Sequence, residues 1–254
     1  MDIKKKLIEL YRCSGKHASY QIVYEKLNEF IDVNGFQTIA RYERERLQYI
    51  LQHVAVKNKT ILEIGGNTGY FTFSLLDEGA EAVYYYEYNT AHAEFVKLAA
   101  ELLNVSDRIF IRNEYYLFDA NDQKKYGIIL LLNVLHHLGD DYGDRSLSMD
   151  RAKKSIIDQI NGLASRTETL ILQMGYNWKG NPNLGFFQNG TKKEMIDFIR
   201  EGTQNYWEIK NIGVPELCGE NICYKELSDR NIKRMDHLGE FLNRPIFIMK
   251  ALKI

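Results

Sequence analysis

Cysteine is scarce in this chain, with three in 254 residues: Cys13, Cys218 and Cys223. The number is odd, and Cys218-x4-Cys223 has no second pair to complete a zinc ligand set. The sequence therefore predicts reduced thiols rather than a disulfide framework or a zinc module. An excess of one charge is also missing. Lys and Arg number 33 against 34 Asp and Glu, for a net charge of −1, and no block of like charge exceeds Lys4-Lys5-Lys6. Such a chain lacks the global field of a protein that grips long nucleic acid by its phosphates. A small-molecule partner is expected, and nucleic acid is not. No apolar run approaches the roughly 20 residues that span a bilayer. The start, MDIKKKLIEL, has neither the apolar core nor the small-residue cleavage site of a signal peptide. It reads as an amphipathic helix, so a cytoplasmic protein without membrane contact is expected. There is no internal repeat or low-complexity segment, and monomer and homodimer both stay open.

The informative presence is Thr60 to Phe71, TILEIGGNTGYF. A short apolar strand reaches Glu63, passes Gly65, Gly66 and Gly69, and enters an apolar helix. That layout carries nucleotide-like ligands at the mouth of an α/β sheet. Two phosphate-binding versions fail. A Walker loop needs Lys and then Ser or Thr after its last glycine, where this chain has Tyr70-Phe71. The dinucleotide fingerprint needs glycine at its first, third and sixth positions, which would be Gly65, Asn67 and Tyr70. What remains is acid-x-Gly-x-x-x-Gly. Ala82 to Glu87, AVYYYE, reads as a second buried strand ending in an acid, eighteen residues beyond Gly69. A carboxylate there can accept both hydroxyls of a ribose. Asn89 or Thr90 can cap the next helix, roughly 90–103, which leaves Glu87 for a ligand. A third short strand follows at Arg108 to Arg112. Gly127 to Leu132, GIILLL, reads as a central parallel strand covered on both faces, and it runs into Asn133-Val134-Leu135-His136-His137-Leu138.

This ordered set, over roughly 59–174, resembles the class I S-adenosylmethionine-dependent methyltransferases. The resemblance implies a Rossmann-like α/β fold: a doubly wound, mostly parallel, seven-stranded sheet with an N-terminal helical extension. It implies S-adenosylmethionine as cofactor. Glu63, Gly65 and Gly69 would frame the methionine end, with Gly66 and Asn67 in the same turn. Glu87 would take the ribose hydroxyls and Tyr88 would lie beside the adenine. The third-strand exit usually gives an acid or amide to the adenine amine. This chain reads Asn113-Glu114-Tyr115 there, so Glu114 is the first choice and Asp119, in Phe118-Asp119-Ala120, the second. Asn133 would close the pocket on the sulfonium side.

Three sections organise the chain. Residues 1–58 read as helical, with stripes at Ile22, Val23, Leu27, Phe30 and Ile31 and at Leu47, Ile50, Leu51 and Val54, separated by Asn34-Gly35. This preface either helps form an acceptor pocket or only packs on the sheet edge. Residues 59–254 read as the methyltransferase domain. A helix is expected over 149–164 and a strand over 169–174, followed by the loop 175–190, whose aromatic residues argue for order. Thr191-x-x-Glu194 is a capping box. The last two strands, 207–212 and 245–252, should form an antiparallel edge, with an insertion at 214–244 that is helical in its second half.

Methyl transfer from a sulfonium needs alignment more than a fixed catalytic set. An acceptor hydroxyl would need a base, and His136 and His137 follow the fourth strand. His137 is the first choice and His136 the second. Both could instead only shape the pocket. Asp140, Asp141 and Asp144 could hold a divalent ion, but a solvated helix end is the simpler reading, so no metal is expected. Arg41, Arg44 and Arg46 read as an exposed face interleaved with Glu43 and Glu45, less readily as a site for an anionic acceptor. The acceptor expected is a sugar, a polysaccharide precursor or a phosphorylated metabolite, methylated on oxygen. The alternatives are methylation of a tRNA base, a non-catalytic binding partner on the same fold, and transfer of a group other than methyl.

Overall fold

The computed structural model describes residues 2–12, 19–32, 38–119 and 123–252. Cys13, the Asn34-Gly35 pair and Ala120 lie outside the described residues. The chain divides into two compact units, residues 1–47 with 55–116, and residues 48–54 with 117–254.

The first unit alternates strand and helix. Helix α1 covers Ile3–Arg12, and α2, Glu43–His53, runs across the division of the chain. Strand β1 is Thr60–Ile64, α3 Tyr70–Asp77, β2 Ala82–Tyr86, α4 Thr90–Leu102 and β3 Ile109–Arg112. The strands lie in the order β3-β2-β1 and all pair in parallel, with Thr60 opposite Ala82 and Val83 opposite Ile109. Helix α4 buries Phe95, Val96 and Ala99, while Leu102 and Leu103 at its end are half-buried, and Phe95 meets Tyr11 of α1 at 6.1 Å between ring centroids. The helix expected over 22–31 is absent. Residues 22–24 are without regular structure, and only a 3₁₀ turn forms at Glu25–Glu29. Val23 and Tyr24 are both buried, and Tyr24 is extended, with φ −60° and ψ 133°.

The second unit holds β4 (Tyr126–Leu132), α5 (Met149–Gly162), β5 (Thr167–Gln173), α6 (Lys192–Thr203), β6 (Trp207–Cys218), β7 (Asn221–Glu226) and β8 (Ile246–Ala251). Their order is β4-β5-β8-β6-β7. β4 and β5 are parallel, while β8 is antiparallel to both β5 and β6. The capping box at Thr191 and Glu194 forms as read.

Eight strands are present among the described residues, where seven were expected. The extra one is β7. β6 continues past 212 and turns back on itself through Gly219-Glu220, with Cys218 opposite Asn221 and Gly219 at φ +69°. A two-residue turn of this kind needs a glycine-like backbone and no other sequence marker. Pro215 sits where β6 pairs only with β7, the one-sided position a strand proline requires. The helical stretch expected before β8 is two 3₁₀ turns, Asp236–Leu238 and Phe241–Asn243. The hairpin also corrects the cysteine reading. It brings the Cys218 and Cys223 Cα atoms to 6.0 Å, and their sulfurs are bonded rather than reduced. Among the described residues, no helix is long and apolar enough to cross a membrane.

Candidate functional site

β1 delivers Glu63 and the chain turns at once. Gly65, Asn67 and Gly69 have φ of +73°, +51° and +79°, three left-handed residues in five. Two of the glycines are also demanded by space. A Cβ on Gly66 would fall 2.4 Å from the Tyr85 ring and 3.1 Å from Glu63 Cδ. One on Gly69 would fall 2.8 Å from Val96 Cγ2. The turn is therefore pressed onto β2 and α4 more closely than any side chain allows. It is held there by the Gly65 N–H donating to the Tyr86 carbonyl at 2.8 Å and by the Tyr85 hydroxyl donating to the Asn67 carbonyl.

Glu87 stands just beyond β2. Its Oε2 accepts from the Asn67 N–H at 2.9 Å and its Oε1 from the Asn89 N–H at 2.8 Å. A carboxylate oxygen has two lone-pair sites, so each keeps acceptor capacity, on a side chain that is 14% exposed. Asn89 caps α4, its side chain accepting from the Ala91 N–H at 2.9 Å, and so Glu87 is not needed for that duty. Burial opposes ionisation of Glu87. The His92 imidazole and the two backbone N–H groups outweigh burial and hold its pKa below the usual carboxylate value. His92 Nδ1 lies 3.9 Å from Oε1, beyond direct hydrogen bonding. His92 is buried, and neither ring nitrogen has a hydrogen-bond partner among the described residues.

Glu63 is held differently. It is 3% exposed and accepts from the Thr72 hydroxyl. Burial pushes its pKa up to about 8, with the Thr72 hydroxyl offsetting part of the rise and the Glu87 charge adding to it.

Tyr88 is 58% exposed and stacks on Tyr115 at 3.9 Å with planes 8° apart. At the β3 exit Asn113 does the bonding, donating to the carbonyls of Glu87 and Tyr88 at 2.8 and 2.9 Å. Glu114, the residue preferred there from the sequence, is exposed, as is Asp119 in the second unit. Gln21 was missed. Its side-chain oxygen accepts from Thr68 Oγ1 at 3.2 Å and from the Tyr70 N–H at 3.0 Å, at the N-terminus of α3. No local pattern announces a contact made across 49 residues.

Of the three arginines read as one exposed face, Arg44 is exposed, Arg41 is half-buried and Arg46 is buried. Arg46 is buried 3.7 Å from a buried Glu43, and Arg44 pairs with Glu25 at 2.7 Å.

In the second unit Asn133 follows β4 at φ +61°. Its Nδ2 donates to Gln173 Oε1 at 2.9 Å and its Oδ1 accepts from Arg244 Nη1 at 2.8 Å. Arg244 also donates to Glu240 at 3.0 Å, and that carboxylate accepts the Tyr176 N–H at 3.0 Å. Burial disfavours the Glu240 charge, but Arg244 beside it holds the pKa down. His136 is 3% exposed, and its Nδ1 accepts from the Gly175 N–H at 3.2 Å. His137 is less buried, with Asp141 Oδ2 at 3.1 Å from Nδ1. His137, Asp140 and Asp141 each bring one ligand-type atom within 4.8 Å of the others. The 3₁₀ turn Leu135–His137 thus points one histidine into a buried network and leaves the other at its rim.

No protein-family model and no curated protein sequence matches the chain. Solved structures do. WbdD is 16% identical over 98% of this chain and 47% of its own, with a TM-score of 0.54, so this chain spans about half of that protein. PH1948 from Pyrococcus horikoshii, described as a proposed RNA methyltransferase, is 11% identical over 98% of this chain and 100% of its own, with a TM-score of 0.48. Sp1610 from Streptococcus pneumoniae, described as a proposed tRNA (m1A22) methyltransferase, is 17% identical over 83% and 72%, with a TM-score of 0.47. What the likeness to WbdD shows is the fold alone, a Rossmann-like α/β fold. One expectation is corrected: the exclusion of nucleic acid in favour of a small-molecule acceptor is withdrawn. The physical reason is that net charge counts residues without placing them, and a local basic patch binds phosphate in a chain of any net charge.

Proposed function

We propose that the chain transfers a methyl group from S-adenosylmethionine and that the turn at 63–69, with Glu87, is the donor site. The observation that carries this reading is Glu87. Two backbone N–H groups fix its carboxylate at the tip of the strand beside a glycine turn, and both oxygens keep acceptor capacity suited to a ribose diol. Glu63, Gly65, Gly66, Asn67 and Gly69 would frame the methionine end, in a turn where Gly66 has no room for a Cβ against Tyr85 and Glu63. Tyr88 offers an exposed ring to adenine, with Glu114 as the candidate for the adenine amine. The bound donor would supply an electrophilic methyl on a good leaving group. The chain's own part is to hold, orient and exclude water.

For the acceptor's proton we assign His137. Asp141 beside its Nδ1 is the arrangement that orients an imidazole base. His136, buried and engaged at Nδ1 by Gly175, is suited to holding the backbone that follows β5. As acceptor we favour a base of tRNA. Arg151, Lys153 and Lys154, clustered in the first turns of α5, give a local basic patch that the even net charge conceals.

Isothermal titration with S-adenosylmethionine tests the donor half, and folded protein that takes up none ends it. Incubation with labelled donor and bulk tRNA tests the acceptor. If tRNA binding does not weaken between about 50 and 200 mM salt, and no label enters RNA, the tRNA reading fails while the donor reading stands.

A further inference from the structure

Two carboxylates flank one glycine turn at the ends of neighbouring parallel strands, Glu63 within β1 and Glu87 beyond β2. Their surroundings differ in kind. Glu87 has two N–H donors and an imidazole beside it. Glu63 has one hydroxyl donor, Thr72 of α3, and among the described residues no lysine, arginine or histidine pairs with it. The other groups facing it are Tyr85 of β2 and the Glu87 charge, and neither favours an anion. A pair whose environments push the two pKa values apart carries one negative charge at neutral pH instead of two. Glu63 packs against the turn itself, its Cδ 3.1 Å from where a Cβ on Gly66 would stand, and it is 3% exposed. A positive charge brought to the turn would act on it in a buried setting, where Coulomb interactions are strong.

Resting on the donor-site reading above, we propose that Glu63 reads the positive charge of the ligand: it is protonated in the ligand-free protein and gives its proton to solvent when a cationic methyl donor binds. The balance is one O–H bond broken at Glu63, one proton passed to buffer, and the resulting carboxylate paired with the donor's charge. The demethylated product, S-adenosylhomocysteine, has the same amine and ribose but no sulfonium charge, so it releases less of the proton. Donor-over-product preference then rises with the ability of Glu63 to ionise.

The experiment is isothermal titration near pH 7 in phosphate, HEPES and Tris, whose ionisation enthalpies differ. The expected result is an observed heat that varies with buffer, with a slope approaching one proton released for the donor and a smaller slope for the product. Glu63→Gln should bind the donor more weakly, and the binding that remains should have lost the slope. In the unmodified protein the slope should also shrink towards zero near pH 9, about a unit above the Glu63 pKa, and this second series stands if the variant does not fold. Equal slopes for donor and product, or a slope unchanged by Glu63→Gln, overturn the inference. Donor binding with no buffer dependence at all overturns it while leaving the donor site intact. Absence of any donor binding removes the donor site and this inference together.

Discussion

The turn after β1 and the stretch after β4 are built on the same plan, a buried parallel strand running into a short polar sequence, yet their polar groups are spent differently. After β1 the bonds come from backbone. The Gly65 N–H is satisfied by Tyr86, and the Asn67 and Asn89 N–H groups converge on Glu87 and leave its oxygens with capacity. After β4 the polar side chains are taken up by the surrounding protein. Asn133 is engaged at both ends, by Gln173 and Arg244, and His136 is engaged by Gly175. A polar side chain fixed by backbone and still short of partners is prepared for something that arrives. One saturated by its neighbours is holding the fold. By this criterion Glu87 fits the donor site proposed above, and Asn133 and His136 serve the second unit's interior first.

The largest expected effect tests the saturated half. Arg244→Leu removes the cation from Glu240 and the donor from Asn133, leaving a largely buried carboxylate without its partner. The unfolding free energy should fall by about 3–5 kcal/mol in urea titration, because the uncompensated charge costs more than the pair gained. A loss under about 1 kcal/mol would mean that the network is not structural and would erase the contrast with Glu87.

Glu87→Ala tests the other half. Donor affinity should drop by roughly 10–100-fold, about what loss of hydrogen bonds to a charged acceptor removes. Unchanged affinity with native stability would take the ribose role from Glu87.

The two carboxylates of the turn should also respond to acid in opposite senses. The folded pKa of Glu63 is raised to about 8, so its contribution to stability is fully present below its unfolded value and is lost as pH rises through about 8. The folded pKa of Glu87 is lowered, so its contribution is present above the unfolded value and is lost as pH falls through the folded one. Glu63→Gln should flatten the decline of unfolding free energy between about pH 5 and 8, a slope of at most about 1.4 kcal/mol per pH unit, and leave the acid limb in place. If Glu63→Gln changes only the acid limb, the assignments are exchanged.

Much of the first unit was legible because its signals are local. Glycines at 65, 66 and 69 and a cap at 89 are marked by their immediate neighbours, and the acid at 87 is placed by a spacing that follows from strand and helix lengths. The unpaired character of His92 was not legible, because a histidine at the third position of a helix says nothing about what surrounds its ring. Gln21, Asn113 and Arg244 act through contacts between distant parts of the chain, and no period marks them. β7 was hidden for a different reason. Its turn is only Gly219-Glu220, and Pro215 just before it reads as a strand breaker unless the one-sided pairing of β6 is known. The 22–31 stripe misled because buried extended chain and helix share the same residue types.

The smallest effect separates capping from binding at a single step of chain. Asn89 and Glu87 are two residues apart, and either type could close the N-terminus of α4. The Asn89 side chain takes the Ala91 N–H at 2.9 Å and the His92 N–H at 3.4 Å, whereas Glu87 takes the N–H of Asn89 itself and none inside the helix. Asn89→Ala should therefore cost about 1 kcal/mol in thermal or urea unfolding and change donor affinity by less than about threefold, since the Asn89 backbone N–H that orients Glu87 survives the substitution. A larger loss of affinity than of stability would show that the Asn89 side chain, and not only its backbone, belongs to the donor site. No loss of either would return the capping duty to Glu87, and with it the question of whether that carboxylate has any capacity to spare for a ribose.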